Sequence, residues 1–111
     1  MKTLTDFKNA IQVGVIVKTT HHQKSAGRDE QGKLILVSEE MEPAPVSIKQ
    51  TTQFAVKRTR KDGTQADSWM QYGKASECKI EGNKITFYAE DFRIPTSQGK
   101  VMVPLLTYEI I

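Results

Sequence analysis

Four cations stand in five consecutive residues, Lys57-Arg58-Thr59-Arg60-Lys61, and the run ends at Asp62-Gly63. Lysine and arginine at this density neutralise phosphates and release their counterions, which gives salt-sensitive, mostly sequence-independent affinity for nucleic acid. Asp-Gly is among the strongest short signals for a β-hairpin, so the cations lie along a ribbon and its tip. The charge is local. Residues 46–75 carry Lys49, Lys57, Arg58, Arg60, Lys61 and Lys74 against Asp62 and Asp67, a net of +4. Residues 1–45 carry six cations and six anions, and residues 76–111 carry four and five. The central segment therefore supplies the whole excess of a chain whose net charge is +3. Such a patch suits an anionic partner. Cations on strand edges also block aggregation, which is the plainer use of the same residues.

Other chemistry finds little support. His21 and His22 are adjacent, so on an extended segment they point to opposite sides and chelate one ion poorly. A zinc site needs four ligands at recognisable spacing, and no such pattern accompanies them. Cys78 is the only cysteine. It rules out an internal disulfide, and a nucleophilic role would need a base and an electropositive setting beside it. Asp29, Glu30, Glu39, Glu40 and Glu42 read as solvated loop charges rather than a carboxylate pair in a cleft. No nucleophile elbow, P-loop or dinucleotide fingerprint occurs. The expectation is a non-enzymatic chain with no catalytic residues, no metal and no cofactor.

The elements that position the basic run follow from periodicity. Thr5 is expected to cap a short helix carrying Leu4, Phe7 and Ile11 on one face and ending near residue 12. The β-branched residues after it predict a strand over 13–19, with Val13, Val15 and Val17 on one face. Residues 20–32 are polar and glycine-punctuated and read as a loop, 33–37 as a short strand, and 38–45 as an acidic loop. Val46–Lys61 reads as extended throughout. Sixteen residues at about 3.3 Å each would span roughly 50 Å, too long for a domain this size, so a bend or bulge is expected near Gln50-Thr51-Thr52.

A two-residue Asp62-Gly63 loop sets Arg58 opposite Asp67, Val56 opposite Trp69 and Phe54 opposite Gln71. In that register Trp69 belongs to the core, and Tyr72, opposite Gln53, is the better candidate for an exposed ring. A second hairpin through Gly82-Asn83 sets Cys78 opposite Phe87 and Ile80 opposite Ile85, one dry face with a buried, inert thiol. Residues 90–100 read as a loop and 101–111 as the last strand, with Pro104 at an edge or bulge.

These elements make a single domain over residues 1–111. The fold class is α+β, mainly β: a short N-terminal helix plus a curled antiparallel sheet or small partly open barrel of six to seven strands. The N-terminal residues lack the apolar run of a signal peptide, and no stretch approaches the roughly 20 apolar residues of a membrane span. A cytoplasmic, non-membrane protein is the expectation. The segments Gly27-Arg28-Asp29-Glu30-Gln31-Gly32-Lys33, residues 46–55 and Asp67-Ser68-Trp69 resemble small uncharacterised proteins of Gram-positive phages and integrated mobile elements. That resemblance implies an accessory or host-interaction role and carries no activity onto particular residues.

The leading expectation is a small binding domain that takes nucleic acid through Lys49, Lys57, Arg58, Arg60, Lys61, Tyr72 and Lys74. The alternative is a protein-interaction or host-protein-modulating module, homodimeric through an exposed strand edge.

Overall fold

The computed structural model describes residues 1–111, the side chain of Thr96 excepted. Helix α1 spans Leu4–Ala10. Thr3, not Thr5, is its cap: Thr3 Oγ1 accepts from the Asp6 amide at 3.1 Å, and the Asp6 carboxylate accepts from the Thr3 amide at 3.1 Å. This reciprocal box satisfies two donors that a helix start leaves free. The helix places Phe7 and Ile11 fully inside.

Eight strands follow, β1 Ile16–Arg28, β2 Leu34–Glu40, β3 Ala44–Lys49, β4 Gln53–Thr59, β5 Gln65–Gln71, β6 Cys78–Glu81, β7 Lys84–Glu90 and β8 Met102–Ile110. All pairs are antiparallel. The order is β5-β4-β3-β1-β8-β7-β6, with β2 paired to β1 alone, and the sheet does not close into a barrel. The class is the expected α+β, mainly β, with eight strands rather than six or seven.

Sheet curvature follows from Phe7. Its ring lies 5.8 Å from Tyr108 in a stacked pair, 6.3 Å from Phe54 and 6.4 Å from Phe87. Phe54 is on β4 and Phe87 on β7, four strand positions apart. In a flat sheet they would be separated by about 19 Å at roughly 4.8 Å per strand. Both reach one ring, so the sheet curls around it. Aromatic pairs in edge or offset contact contribute about 0.5–1.5 kcal/mol each beyond their burial. Gly73 is part of this packing, since a Cβ there would stand 2.3 Å from the Phe87 ring.

Several boundaries depart from the pattern reading. Val13 is exposed and strand β1 starts only at Ile16, after the turn at Gly14. Most of the expected 20–32 loop is strand, because β1 runs on to Arg28. The backbone ladder to β8 ends at His21, the side chains of His22 and Gln23 still reach it, and Lys24–Arg28 pair only with β2 in an exposed two-stranded ribbon. Its polar composition reflects two-sided solvent contact, which pattern reading mistakes for a loop. Likewise β2 takes in residues to Glu40, and β3 begins inside the expected acidic loop. The extended segment 46–61 is two strands. Its expected bend is a full reversal, with the Gln50 amide donating to the Gln53 carbonyl at 2.8 Å.

The Gly82-Asn83 hairpin has the expected register, Cys78↔Phe87 and Ile80↔Ile85. Pro104 sits beside a register shift between β7 and β8, as a residue without an N–H must. The radius of gyration is 15.6 Å, against about 13 Å for a compact domain of this length. One short helix on one face of a broad sheet, with a protruding ribbon, accounts for the difference.

Candidate nucleic-acid interface

The turn between β4 and β5 decides the geometry of the basic run. It contains three residues, Lys61, Asp62 and Gly63, rather than two. The Arg60 amide donates to the Thr64 carbonyl at 2.7 Å, and the Gly63 amide donates to the Arg60 carbonyl at 3.0 Å. Gly63 has φ +87°, so it fills the left-handed position that closes a three-residue hairpin. Asp62 Oδ1 accepts from the Thr64 hydroxyl at 2.6 Å and from its amide at 2.9 Å. Those bonds, the hydroxyl first, hold the Asp62 carboxyl below its ordinary range.

The extra turn residue moves the register by one. Lys57, not Arg58, is opposite Asp67, and Arg58 is opposite Ala66. The Arg58–Asp67 pair expected from the sequence is absent. Arg58 Nη1 instead lies 3.5 Å from Ser68 Oγ, and Asp67 accepts from Ser47 Oγ at 2.8 Å. Phe54 is opposite Met70, and Ala55 is opposite Trp69.

A one-residue slip exchanges the faces of a strand. Met70 turns into the core, and Trp69 turns out at 44% exposure. The expectation of a core tryptophan is therefore overturned, and so is that of an exposed Tyr72. The Tyr72 ring packs 5.3 Å from Phe54 and 6.1 Å from Phe7, with Lys8 Nζ 5.3 Å from its centroid. Its hydroxyl is buried with no hydrogen-bond partner, and burial raises its pKa.

Trp69 lies on β5, an edge strand, with Ala55 and Ile48 beside it in a row across three strands. Lys57 and Asp67 form the next row toward the tip on the same face. Beyond them stand Arg60 and Lys61, both exposed. The arrangement is an aromatic platform at the foot of a cationic ribbon.

Beside the ribbon is an open groove of about 420 Å³ lined by Glu42, Pro43, Pro45, Lys57, Arg58 and Thr59. Its origin is chemical. Val46 uses its amide and carbonyl on the β1 side, bonding to Val15 and Gly14. Pro45, one residue earlier, faces β4 and has no N–H to offer, so β3–β4 pairing stops at Val46↔Val56. The strands part there, exposing Lys57 and Arg58 along the opening.

Two further expected cations are elsewhere. Lys49 Nζ donates to the Lys8 carbonyl at 2.7 Å, in the last turn of α1. A lysine there satisfies a free carbonyl and offsets the helix dipole, so it is structural. Lys74 is exposed but follows the end of β5 opposite to the tip. Seven strand residues, about 23 Å, separate the two ends.

The other groups with chemical capacity are dispersed. His22 Nε2 is 2.6 Å from Thr107 Oγ1, while His21 is paired with Leu106 and Glu39 in the sheet. Among the described residues no three His, Cys, Asp or Glu side chains converge on a metal position. Cys78 is partly buried, its thiol faces the Ala75 carbonyl at 3.3 Å, and burial raises its pKa. No helix of the described residues is long and apolar enough to cross a membrane.

No protein-family model, curated protein or solved structure matches this chain.

Proposed function

We propose that the chain binds single-stranded nucleic acid on the outer face of β4 and β5. One observation carries the reading: Trp69 is exposed on an edge strand, on the same face as Lys57 and below the Arg60–Lys61 tip. A base stacks on any aromatic face whatever its identity, and such a contact contributes about 1–3 kcal/mol. Lys57, Arg60 and Lys61 neutralise the phosphates that lead away from the stacked base, and Arg58 adds to them from the groove. Double-stranded DNA would use the cations but leave the indole idle, so a splayed single strand fits better. Affinity is weak and salt-dependent, with Kd on the order of 10⁻⁴–10⁻⁶ M at physiological salt. A cytoplasmic location belongs to the same proposal.

Retention of single-stranded oligonucleotide at low ionic strength tests the proposal. Replacing Arg58, Arg60 and Lys61 together by Ser is expected to abolish retention with the fold intact. Trp69→Ala is expected to weaken it about 5- to 150-fold. Wild-type protein that retains no oligonucleotide at low salt refutes the proposal.

A further inference from the structure

The outer edge of β2 is unpaired. The β1–β8 ladder ends at His21, His22 and Gln23 reach β8 only through their side chains, and past them β1 is paired with β2 alone and β2 with β1 alone. A two-stranded ribbon alone is marginal in water, and a third and fourth strand stabilise it. Both register shifts of this pair put the extra residue in β1, between His21 and Lys24 and between Ser25 and Arg28. Strand β2 therefore stays regular. Its outer edge has no proline and no bulge, and Ile35 and Val37 stand exposed on one face. Edges that must remain single are normally blunted by such devices.

We infer that β2 pairs antiparallel with β2 of a second copy of this chain, about a two-fold axis at Leu36. Symmetry limits the choice. Two identical antiparallel strands alternate between two kinds of residue pair, so the axis must pass through a residue facing its own copy. Centring on Val37 would set Ile35 against Glu39 and Leu34 against Glu40. Centring on Ile35 would set Lys33 against Val37 and Glu30 against Glu40. Only Leu36 sorts the chemistry: Leu36 meets Leu36, Ile35 meets Val37 twice, and Lys33 meets Glu39 twice.

The result is a four-stranded sheet, β1-β2-β2-β1, with one apolar cluster of Ile35 and Val37 from both copies. A Lys33–Glu39 pair flanks the cluster at each end. Glu39 already contacts Lys24 of its own chain, which holds its carboxyl below the ordinary range. Only Oε2 of that carboxylate meets Lys24, so its other oxygen is left to face Lys33 of the second copy. The surface is formed by the ribbon itself and needs no nucleic acid, although the Arg58 charge of the hairpin also acts on Glu39.

Solution mass by light scattering or sedimentation, without nucleic acid, tests the register. Wild-type protein at high concentration is expected at twice the chain mass of 12.5 kDa. Lys33→Glu places Glu opposite Glu39 at both ends, and Glu39→Lys places Lys opposite Lys33 at both ends. Each variant alone is expected to dimerise at least about tenfold more weakly, since like charges directly opposite destabilise a ladder. An equimolar mixture of the two variants restores both opposite-charge pairs and is expected to form a heterodimer. That recovery also shows that neither variant is merely misfolded. A wild-type monomer at high concentration overturns the inference, as do single variants that dimerise like the wild type or a mixture that remains monomeric.

Discussion

Ala55 is paired with Trp69 across β4 and β5, where a two-residue turn would have set Val56 in that place. The difference of one residue puts the chain's only tryptophan in water. Its fluorescence therefore reports the register directly. Emission is expected near that of a solvated indole and is expected to be quenched readily by iodide. A blue-shifted, poorly quenched emission would mean that Trp69 is inside and that the two-residue register is the true one.

Lys49 separates structural cations from binding cations. Its ammonium donates to the Lys8 carbonyl in the last turn of α1. Lys49→Gln is expected to lower stability by about 0.5–2 kcal/mol, the range for a lost charged hydrogen bond at a helix end. Oligonucleotide affinity is expected to stay within about twofold of the wild type. Chemical denaturation and a binding titration on one sample check both.

The Tyr72 hydroxyl is buried without a partner, while its ring packs on Phe7 and Phe54. Tyr72→Phe keeps the ring and removes the desolvated oxygen. The variant is expected to be more stable by about 1 kcal/mol, and Thr19→Val, which removes a second unpaired buried hydroxyl among the described residues, by a similar amount. Urea midpoints measure both. Loss of stability in Tyr72→Phe would mean that the hydroxyl has a partner in solution.

Acid is expected to destabilise the fold in a defined direction. Hydrogen bonds from the Arg93 side chain and then its backbone hold Asp91 below its ordinary 3.8, and the amides of Lys2 and Thr3 do the same for Asp6. A carboxyl with a lowered folded pKa contributes stability above its unfolded value and loses it as pH falls through the folded value. Thermal midpoints should therefore drop below about pH 4. In Asp6→Asn the neutral-pH stability is lower and the acid-dependent decline is shallower.

Much of the fold was legible in the sequence where one face is dry and the other wet. The hairpin of β6 and β7 has its predicted register because Cys78, Ile80, Ile85 and Phe87 alternate with polar residues. Legibility failed where both faces of a strand meet water, as in the β1–β2 ribbon, whose residues 20–28 carry no such alternation. It also failed at Asp62-Gly63, a dipeptide that serves two- and three-residue turns alike. The site inherited that error. Lys57, Arg58, Arg60 and Lys61 are together as the sequence indicated, but Trp69 and Tyr72 exchanged roles. Pro43 and Pro45, spaced two apart, were the overlooked sign that a strand edge would open into a groove.

The central claim is that Trp69 and the basic hairpin act together on a single strand, and one titration tests it. Single-stranded oligonucleotide is added to the wild-type protein at several salt concentrations while tryptophan emission is recorded. The account predicts saturable quenching, with log K falling against log salt at a slope of about −3 if the four hairpin cations each meet a phosphate. Unchanged emission at low salt, or quenching with no salt dependence, would contradict it.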